Sequence, residues 1–376
     1  MKGIVLGCGL VGGEIVRDLA ADGEFEVTAV DLSASALEQL SGLPHVTPIQ
    51  ENLGRPERVS ELARGHDLAV VAVPGFMGHQ TLQAVIGAGV NVVDISFAPE
   101  EAAPLNELAE SKGVIAITDC GVAPGLSHTL VARAAAQLDE TASVAIYVGG
   151  LPANPEPPWE YKAVFSPADV LEEYTRPARM KQNGMVVLVD ALSQVEELEF
   201  PGIGTLEAFA TDGLRSLLNT IDAPDMVEKT LRYPGHAAKM RTLRDAGLFS
   251  KDAVEVGGIA VRPLEVTSRL LFPQWKLREE DEDLTVMRVI AHGKKDGAEK
   301  VFQYDLLDRY DREKGVTSMA RTTGYMATAA ARLIRDGVFT RKGVSPPEYL
   351  GMDEECFARL VAMLGKRGIK LTQGVA

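Results

Sequence analysis

Residues 2–31 read KGIVLGCGLVGGEIVRDLAADGEFEVTAVD. KGIVL is a short apolar run, and a Gly-rich turn follows it at once, with Gly7, Gly9 and Gly12 in the G-x-G-x-x-G spacing. GEIVRDLAADG carries a helical pattern, and FEVTAVDLS is a second strand-like run that reaches Asp31. Strand, turn, helix, strand and terminal acid together predict a Rossmann-type dinucleotide site. Gly7 permits the tight turn, Gly9 lets a pyrophosphate approach the backbone, and Gly12 lets the helix pack closely on the strand. The phosphates would lie against unpaired helix N–H groups, with Leu10 and Val11 in the same turn. Asp31 is placed to accept from the adenosine ribose hydroxyls and to repel a 2′-phosphate. The residues after it, Leu32 to Ala36, include no Arg or Lys to neutralise that phosphate. The expected cofactor is therefore NAD rather than NADP, or else a Rossmann-like domain has lost its cofactor.

Outward from this stretch the alternation continues. HVTPI, DLAVVAV, VNVVDIS and VIAITD are compact β-branched runs, and PERVSELARG, HQTLQAVIGAG and PLNELAESKG between them have helical patterns. Such alternation predicts a doubly wound parallel sheet over residues 1–120. Ligands bind beyond the carboxyl ends of such strands. Those ends fall at Gly7, at Asp31, at Asn52, at Val73 with Pro74 and Gly75, at Ser96, and at Asp119 with Gly121.

Beyond residue 121 the texture changes. GVAPGLSHTLVARAAAQLDE opens with Pro and Gly and then reads as a helix; ASVAIYVGGL, GMVVLVDA, TLEAFAT and KTLRYPG read as strands. The run LTVMRVIAHGKKDGAEKVFQYDLLDRYD reads as an antiparallel hairpin turning at GKKDG. With the helices SPADVLEEYTRPARM and HAAKMRTLRDAGLF beside them, these strands predict an α+β domain over 121–317 that binds substrate and joins subunits. SMARTTGYMATAAARLIRDG and MDEECFARLVAMLGKRG, within 318–376, are expected to be helices returning to the nucleotide domain. LPANPEPPWEY is a stiff loop that either shapes a site, offering Trp159 and Tyr161, or simply connects the domains.

Composition narrows the function. The chain has 376 residues, 46% of them hydrophobic, and a formal net charge of −15. No Lys/Arg block interleaved with aromatics is present, which disfavours nucleic-acid binding. No apolar run is long enough to span a membrane, and the first strand begins almost at the N-terminus, so a cytoplasmic protein is expected. Cys8, Cys120 and Cys356 lie far apart without metal-ligand spacing, as expected of free thiols in a reducing compartment. No metal is expected.

The strings DCGVAPGLSH (119–128), YVGGLPANPEPPWEYKAVFSPADVLEEYTRPARMKQNG (147–184), EAFATDGLRSLL (207–218) and TLRYPGH (230–236) resemble L-lysine 6-dehydrogenases of the saccharopine dehydrogenase-like superfamily. The resemblance runs from the GCGLVG turn to VSPPEYLGM (344–352), nearly the whole chain. It implies oxidative deamination of the lysine ε-amino group with NAD. The product aldehyde, allysine, then cyclises to 1-piperideine-6-carboxylate. It also implies a homodimer or larger assembly.

That chemistry needs a hydride acceptor, removal of a proton from the amine and water to attack the imine. The segment Asp119–His128 follows the last expected strand of the sheet, so Asp119 or His128 is a candidate proton carrier; His128 is the better tuned at neutral pH, and a helix-surface or satisfied core histidine is the alternative. Arg232 is the candidate clamp for the α-carboxylate, since a guanidinium binds carboxylate through two parallel bonds; a structural salt bridge is the alternative. Asp212 is a candidate ammonium acceptor, although Thr-Asp-Gly is also good turn chemistry. Tyr161 could orient substrate through its hydroxyl. Lys162 reads as a solvated charge, His236 as a helix-terminal packing residue, and Glu207 is ambiguous. Ser166 with Pro167 reads as a helix N-cap. A saccharopine-type dehydrogenase acting on a secondary amine, and a nucleotide-binding regulatory protein without turnover, are the alternatives.

Overall fold

The computed structural model describes residues 1–375. Two compact units account for them, one formed by 1–137 with 319–370, the other by 138–318 with the chain's end from 371. The first unit opens with β1 (Lys2–Leu6), α1 (Leu10–Ala20), β2 (Glu26–Asp31), α2 (Ala34–Glu38), β3 (Val46–Gln50), α3 (Pro56–Ala63), β4 (Leu68–Val71), α4 (Gly75–Gly87), β5 (Asn91–Asp94), α5 (Asn106–Lys112), β6 (Ile115–Ile117) and α6 (Leu126–Ala135). Its central strands β1, β4 and β6 are apolar runs buried on both faces, as a parallel sheet covered by helices requires, whereas β3 at the edge is largely exposed.

The second unit is built on one nine-stranded sheet. It contains β7 (Glu140–Pro152), α7 (Pro167–Thr175), β8 (Ala178–Gln182), β9 (Met185–Val189), β10 (Glu196–Phe200), β11 (Gly204–Ala210), α8 (Leu217–Thr220), β12 (Asp225–Arg232) and α9 (His236–Asp245). A small hairpin of β13 (Val254–Val256) and β14 (Ile259–Val261) follows, then α10 (Pro263–Trp275) and the long pair β15 (Asp283–Lys295) and β16 (Ala298–Arg309). β15 and β16 pair antiparallel through a two-residue turn at Asp296 and Gly297, both at positive φ, the conformation that closes tight hairpins. The sheet is mixed, because β7 and β12 run parallel at its centre. SPADVLEEYTRPARM does not form one helix. Pro177 lacks an N–H and holds Arg176 extended, so α7 stops at Thr175 and the chain continues as β8.

The chain then returns to the first unit through α11 (Ser318–Arg335), β17 (Gly343–Ser345), α12 (Glu348–Met352) and α13 (Glu354–Lys366), and ends in β18 (Leu371–Val375). The parallel sheet has the order β17-β6-β5-β4-β1-β2-β3, with its change of direction between β4 and β1. β17 is a seventh strand, too short to show in the sequence pattern. The units divide at residue 137 rather than 120 because α6 packs with α12: the Thr129 hydroxyl donates to the Pro347 carbonyl, and a Cβ on Gly351 would lie 2.1 Å from the Thr129 carbonyl. β18 pairs with β16, so the chain's end belongs to the second unit. Within the first unit the returning helices are fastened to α1 by buried charge. Arg332 donates to Asp18 (2.8 Å) and Asp22 (2.9 Å), Arg367 to Asp18 (2.6 Å), and the Tyr325 hydroxyl to Glu14 (2.7 Å).

Candidate functional site

In the first unit the loop between β1 and α1 has the geometry its glycines suggest. Gly7 has φ of 97°, and a Cβ there would meet the Ala72 carbonyl at 2.4 Å. A Cβ on Gly12 would lie 1.9 Å from the Gly7 carbonyl oxygen, so loop and helix touch backbone to backbone. Gly9, by contrast, has nothing within 4 Å of its Cβ position. It caps α1 without a side-chain hydrogen bond, and the first turn carries no acid. The helix N-terminus therefore presents donors beside open space, which suits a phosphate.

Asp31 closes the other side of this cradle. One carboxylate oxygen accepts from the Cys8 N–H (2.6 Å) and the other from the Ser33 N–H (2.7 Å). The loop is thus held against the tip of β2 by a charged acceptor, and Leu10 and Leu32 beside it are exposed, as is Phe76 at the start of α4. These residues fit a dinucleotide, whose base and rings need apolar surface near an acceptor for the ribose.

The remaining strand ends are arranged as follows. Asn52 accepts from the Gly54 N–H, Val73 is buried, and Pro74 and Gly75 lead into α4. The Ser96 hydroxyl donates to Asp94 (2.6 Å), and Gly121 donates to the Pro124 carbonyl. Asp119 occupies the left-handed region at φ 51° in the turn after β6. His128 is fully buried in α6, with Nδ1 3.0 Å from the Ser127 hydroxyl. All three thiols are free and buried; burial, and then the Asp31 charge, pushes Cys8 up to about 12, so it is not a nucleophile at neutral pH.

In the second unit the residues converge on one face of the sheet. Glu228, Thr230 and Arg232 alternate along β12, so all three point the same way, and Glu207 and Phe209 of β11 stand opposite Arg232 and Thr230 in register. Tyr161, Tyr174, Phe209, Met240 and Trp275 pack together over this face. Arg232 is 1% exposed; one Nη donates to Glu173 (2.6 Å), the other to the Leu231 carbonyl (2.9 Å), and the guanidinium stacks 4.6 Å from the Tyr161 ring centroid. Among the described residues its Nε has no hydrogen-bond partner, and neither do the Tyr161 hydroxyl and Trp275 Nε1, all three buried. Buried donors left open in this way are uncommon and call for a partner.

Other sequence-derived candidates are accounted for by neighbours. Asp212 is committed to Arg179, accepting at 2.9 and 3.1 Å from its guanidinium and again from its backbone N–H, so it is not an available ammonium acceptor. Lys162 is not solvated: its side chain is largely covered, 3.4 Å from the Gln274 carbonyl and 3.9 Å from Asp281. Glu207 caps α9, accepting from the N–H groups of Gly235 and Ala237. Ser166 caps α7, accepting from the Asp169 N–H. His236, first residue of α9, does more than pack. Nδ1 donates to the Trp159 carbonyl (2.9 Å), which leaves Nε2 to accept from the Tyr174 hydroxyl (2.8 Å). Burial, then the Arg232 charge, lowers it to about 3, so it stays neutral.

Glu173, Tyr174 and Glu228 are the residues that sequence reasoning missed. Glu228 alternates with Thr230 and Arg232 in MVEKTLR, a polar period-2 pattern visible in the sequence. Glu173 and Tyr174 sit in a helix whose buried face only the fold identifies. No group of three or more His, Cys, Asp or Glu among the described residues could hold a metal, and no helix among them is long and apolar enough to cross a membrane.

Residues 4–117 match the saccharopine dehydrogenase NADP binding domain, and residues 121–369 the saccharopine dehydrogenase C-terminal domain. Among curated proteins the chain is similar to mitochondrial alpha-aminoadipic semialdehyde synthase of Mus musculus, 29% identical over 67% of this chain; it spans only 29% of that relative's length. It is 23% identical to saccharopine dehydrogenase [NADP(+), L-glutamate-forming] of Schizosaccharomyces pombe, over 99% of this chain and 98% of the relative. It is also 23% identical to carboxyaminopropylagmatine dehydrogenase of a Synechocystis species, over 98% and 96%. The fold is that of the solved saccharopine dehydrogenase (L-Glu forming) from Saccharomyces cerevisiae, with a TM-score of 0.82 at 18% identity, covering 100% of this chain and 99% of that one. With an N-terminal nucleotide-binding domain and a C-terminal domain of this family matched in turn over nearly its whole length, the chain belongs to the saccharopine dehydrogenase family.

Proposed function

We propose that the protein is an NAD-dependent dehydrogenase that oxidatively deaminates the ε-amino group of L-lysine, releasing ammonia and allysine, which cyclises to 1-piperideine-6-carboxylate. The observation that carries this reading is the buried Arg232, whose Nε is open beside the unpartnered Tyr161 hydroxyl under an aromatic cover. A guanidinium so placed suits one α-carboxylate, with Tyr161 donating to it as well. A bound nicotinamide supplies acceptance of hydride from Cε. Removal of an amine proton, and delivery of water to the resulting imine, fall to the chain's own polar groups; Asp119 and His128 are the candidates on the first unit. The whole reaction consumes lysine, NAD and water and yields the aldehyde, ammonium, reduced cofactor and one proton. Assembly as a homo-oligomer in the cytoplasm accompanies the reading.

A second reading, oxidation of saccharopine, is favoured by the Schizosaccharomyces pombe relative, which matches over almost the full length of both chains. Saccharopine carries two carboxylates more than lysine, and each requires its own donors.

NAD is proposed although the matched domain and that relative are both named for NADP. Asp31 supports the choice, since a 2′-phosphate would lie against a carboxylate with no Arg or Lys in the five residues that follow. Asp31→Ser removes the repulsion. Its expected result, read as the ratio of kcat/KM with NAD to that with NADP, is a fall of about 10–100-fold, the size of one lost charged contact plus relief of one like-charge clash. A wild-type enzyme that prefers NADP contradicts the assignment.

A further inference from the structure

Among the described residues, Glu228 is the one carboxylate of the Arg232 sheet face that no cation or helix end accounts for. It is 4% exposed. Its Oε2 accepts from the Thr211 hydroxyl (2.6 Å) and the Gly213 N–H (3.1 Å), and Thr211 in turn shares a hydrogen bond with Thr230 (2.9 Å). Among the described residues no Lys, Arg or His stands among the charges acting on it. The neighbouring charges, Glu173 and Asp212, are also negative, and both already have guanidinium partners in Arg232 and Arg179. Glu207, the other acid on this face, is used by the N-terminus of α9. A buried carboxylate with only neutral donors is costly to keep ionised, and a ligand ammonium would relieve that cost.

Its position adds a length. Glu228 and Arg232 are four residues apart on one strand face, about 13 Å between Cα atoms at the usual rise, with Thr230 between them. A carboxylate and the ammonium on its own Cα are too close together to use both. Arg232 and Glu173, hydrogen-bonded to each other, form a plus–minus couple that matches the zwitterionic head of an amino acid. From these juxtapositions we infer that Glu228 is a specificity-determining residue that receives the distal ammonium of a diamino acid whose head group is held by Arg232 and Glu173. The inference rests on the lysine reading of this face and deepens it: the site distinguishes lysine from apolar amino acids of the same length.

Burial, opposed by the Thr211 hydrogen bond, raises Glu228 to about 8. The folded state therefore holds this proton more tightly than the unfolded chain. Stability from this group is present at acid pH and is lost as pH rises from about 4.5 through about 8. Glu228→Gln keeps the acceptor and removes the titration, so the variant is expected to melt at the same or a higher temperature than wild type at pH 9.

The test is calorimetric titration of wild type and Glu228→Gln, each with NAD present, by L-lysine and by L-norleucine, which has the same carbon chain without the distal amine. Wild type should bind lysine more tightly than norleucine. The variant should lose about 10–100-fold in lysine affinity, the range of one charge-assisted hydrogen bond, with norleucine unchanged. Equal lysine affinity in both proteins overturns the assignment, and so does a wild type that binds both ligands alike. A second measurement needs no variant: the lysine-to-norleucine affinity ratio of wild type should fall from pH 9 to pH 6 as Glu228 takes up its proton, and a flat ratio overturns the inference. NAD reduction is measured separately. Selective binding without turnover removes the dehydrogenase reading and keeps the subsite, whereas lysine turnover that Glu228→Gln leaves unchanged in KM does the reverse.

Discussion

Gly12→Val is expected to abolish dinucleotide binding. The added Cβ would sit 1.9 Å from the Gly7 carbonyl oxygen, 2.9 Å from its carbon and 3.3 Å from the Ala72 Cβ. Two of those atoms are backbone of the phosphate loop and cannot swing aside as a flexible side chain does. Gly7 cannot retreat either, because it is pressed against the Ala72 carbonyl at positive φ. Helix α1 must therefore move away from β1, carrying its N-terminal donors out of the position in which Gly9 leaves space. Overpacking of this kind destabilises by about 1–3 kcal/mol. Fluorescence titration with reduced cofactor should show affinity at least about 100-fold weaker, equivalent to ~2.7 kcal/mol. Wild-type affinity in Gly12→Val would mean that the cofactor does not use this loop.

Arg232→Met is expected to have the largest effect on the second unit. The side chain is 1% exposed, and the substitution removes the partner of Glu173, the cover on the Tyr161 ring and the donor to the Leu231 carbonyl. Breaking a buried pair by removing one member destabilises by about 3–5 kcal/mol, on the order of 10 °C in the melting temperature of a domain of this size. The deficit should depend on pH. Glu173 is already raised above the ordinary carboxylate range by burial, against the lowering effect of Arg232. Without the guanidinium it rises further, the folded state binds its proton more tightly than the unfolded chain, and the variant gains relative stability towards acid pH and loses it as pH rises. Arg232→Lys separates fold from binding. It retains a charge for Glu173 but lacks the planar fork, so a modest change in melting temperature is expected, with lysine affinity about 10–100-fold weaker. Unchanged lysine affinity in Arg232→Lys would identify Arg232 as a structural ion pair only.

The first unit was largely legible because its signals are local. β1, the glycine turn, α1 and Asp31 occupy thirty consecutive residues, and each β-branched run between helices became a parallel strand. The GKKDG hairpin was equally readable, since Asp-Gly favours positive φ at both turn positions. What the sequence hid was non-local. β17 is three residues long and is a strand only because it lies beside β6; β18 is one only because β16 offers an edge. The parallel pairing of β7 with β12 joins segments some eighty residues apart. The candidate site divides in the same way. The roles of Gly7, Gly12 and Ser166 follow from their own turns, whereas Arg179 claims Asp212 and Glu173 claims Arg232 across the fold, pairings that no spacing rule contains. Lys162 looked solvated because Lys usually is, and only the fold places Asp281 and the Gln274 carbonyl beside it.

The most direct test of the central claim is absorbance at the reduced-nicotinamide band when the purified protein is mixed with NAD and L-lysine at mildly alkaline pH, with saccharopine and ornithine in parallel and ammonia measured in each. Lysine-dependent reduction with one ammonia released per reduced cofactor, and no signal from saccharopine, is the predicted result. Reduction driven by saccharopine with lysine inert would contradict it.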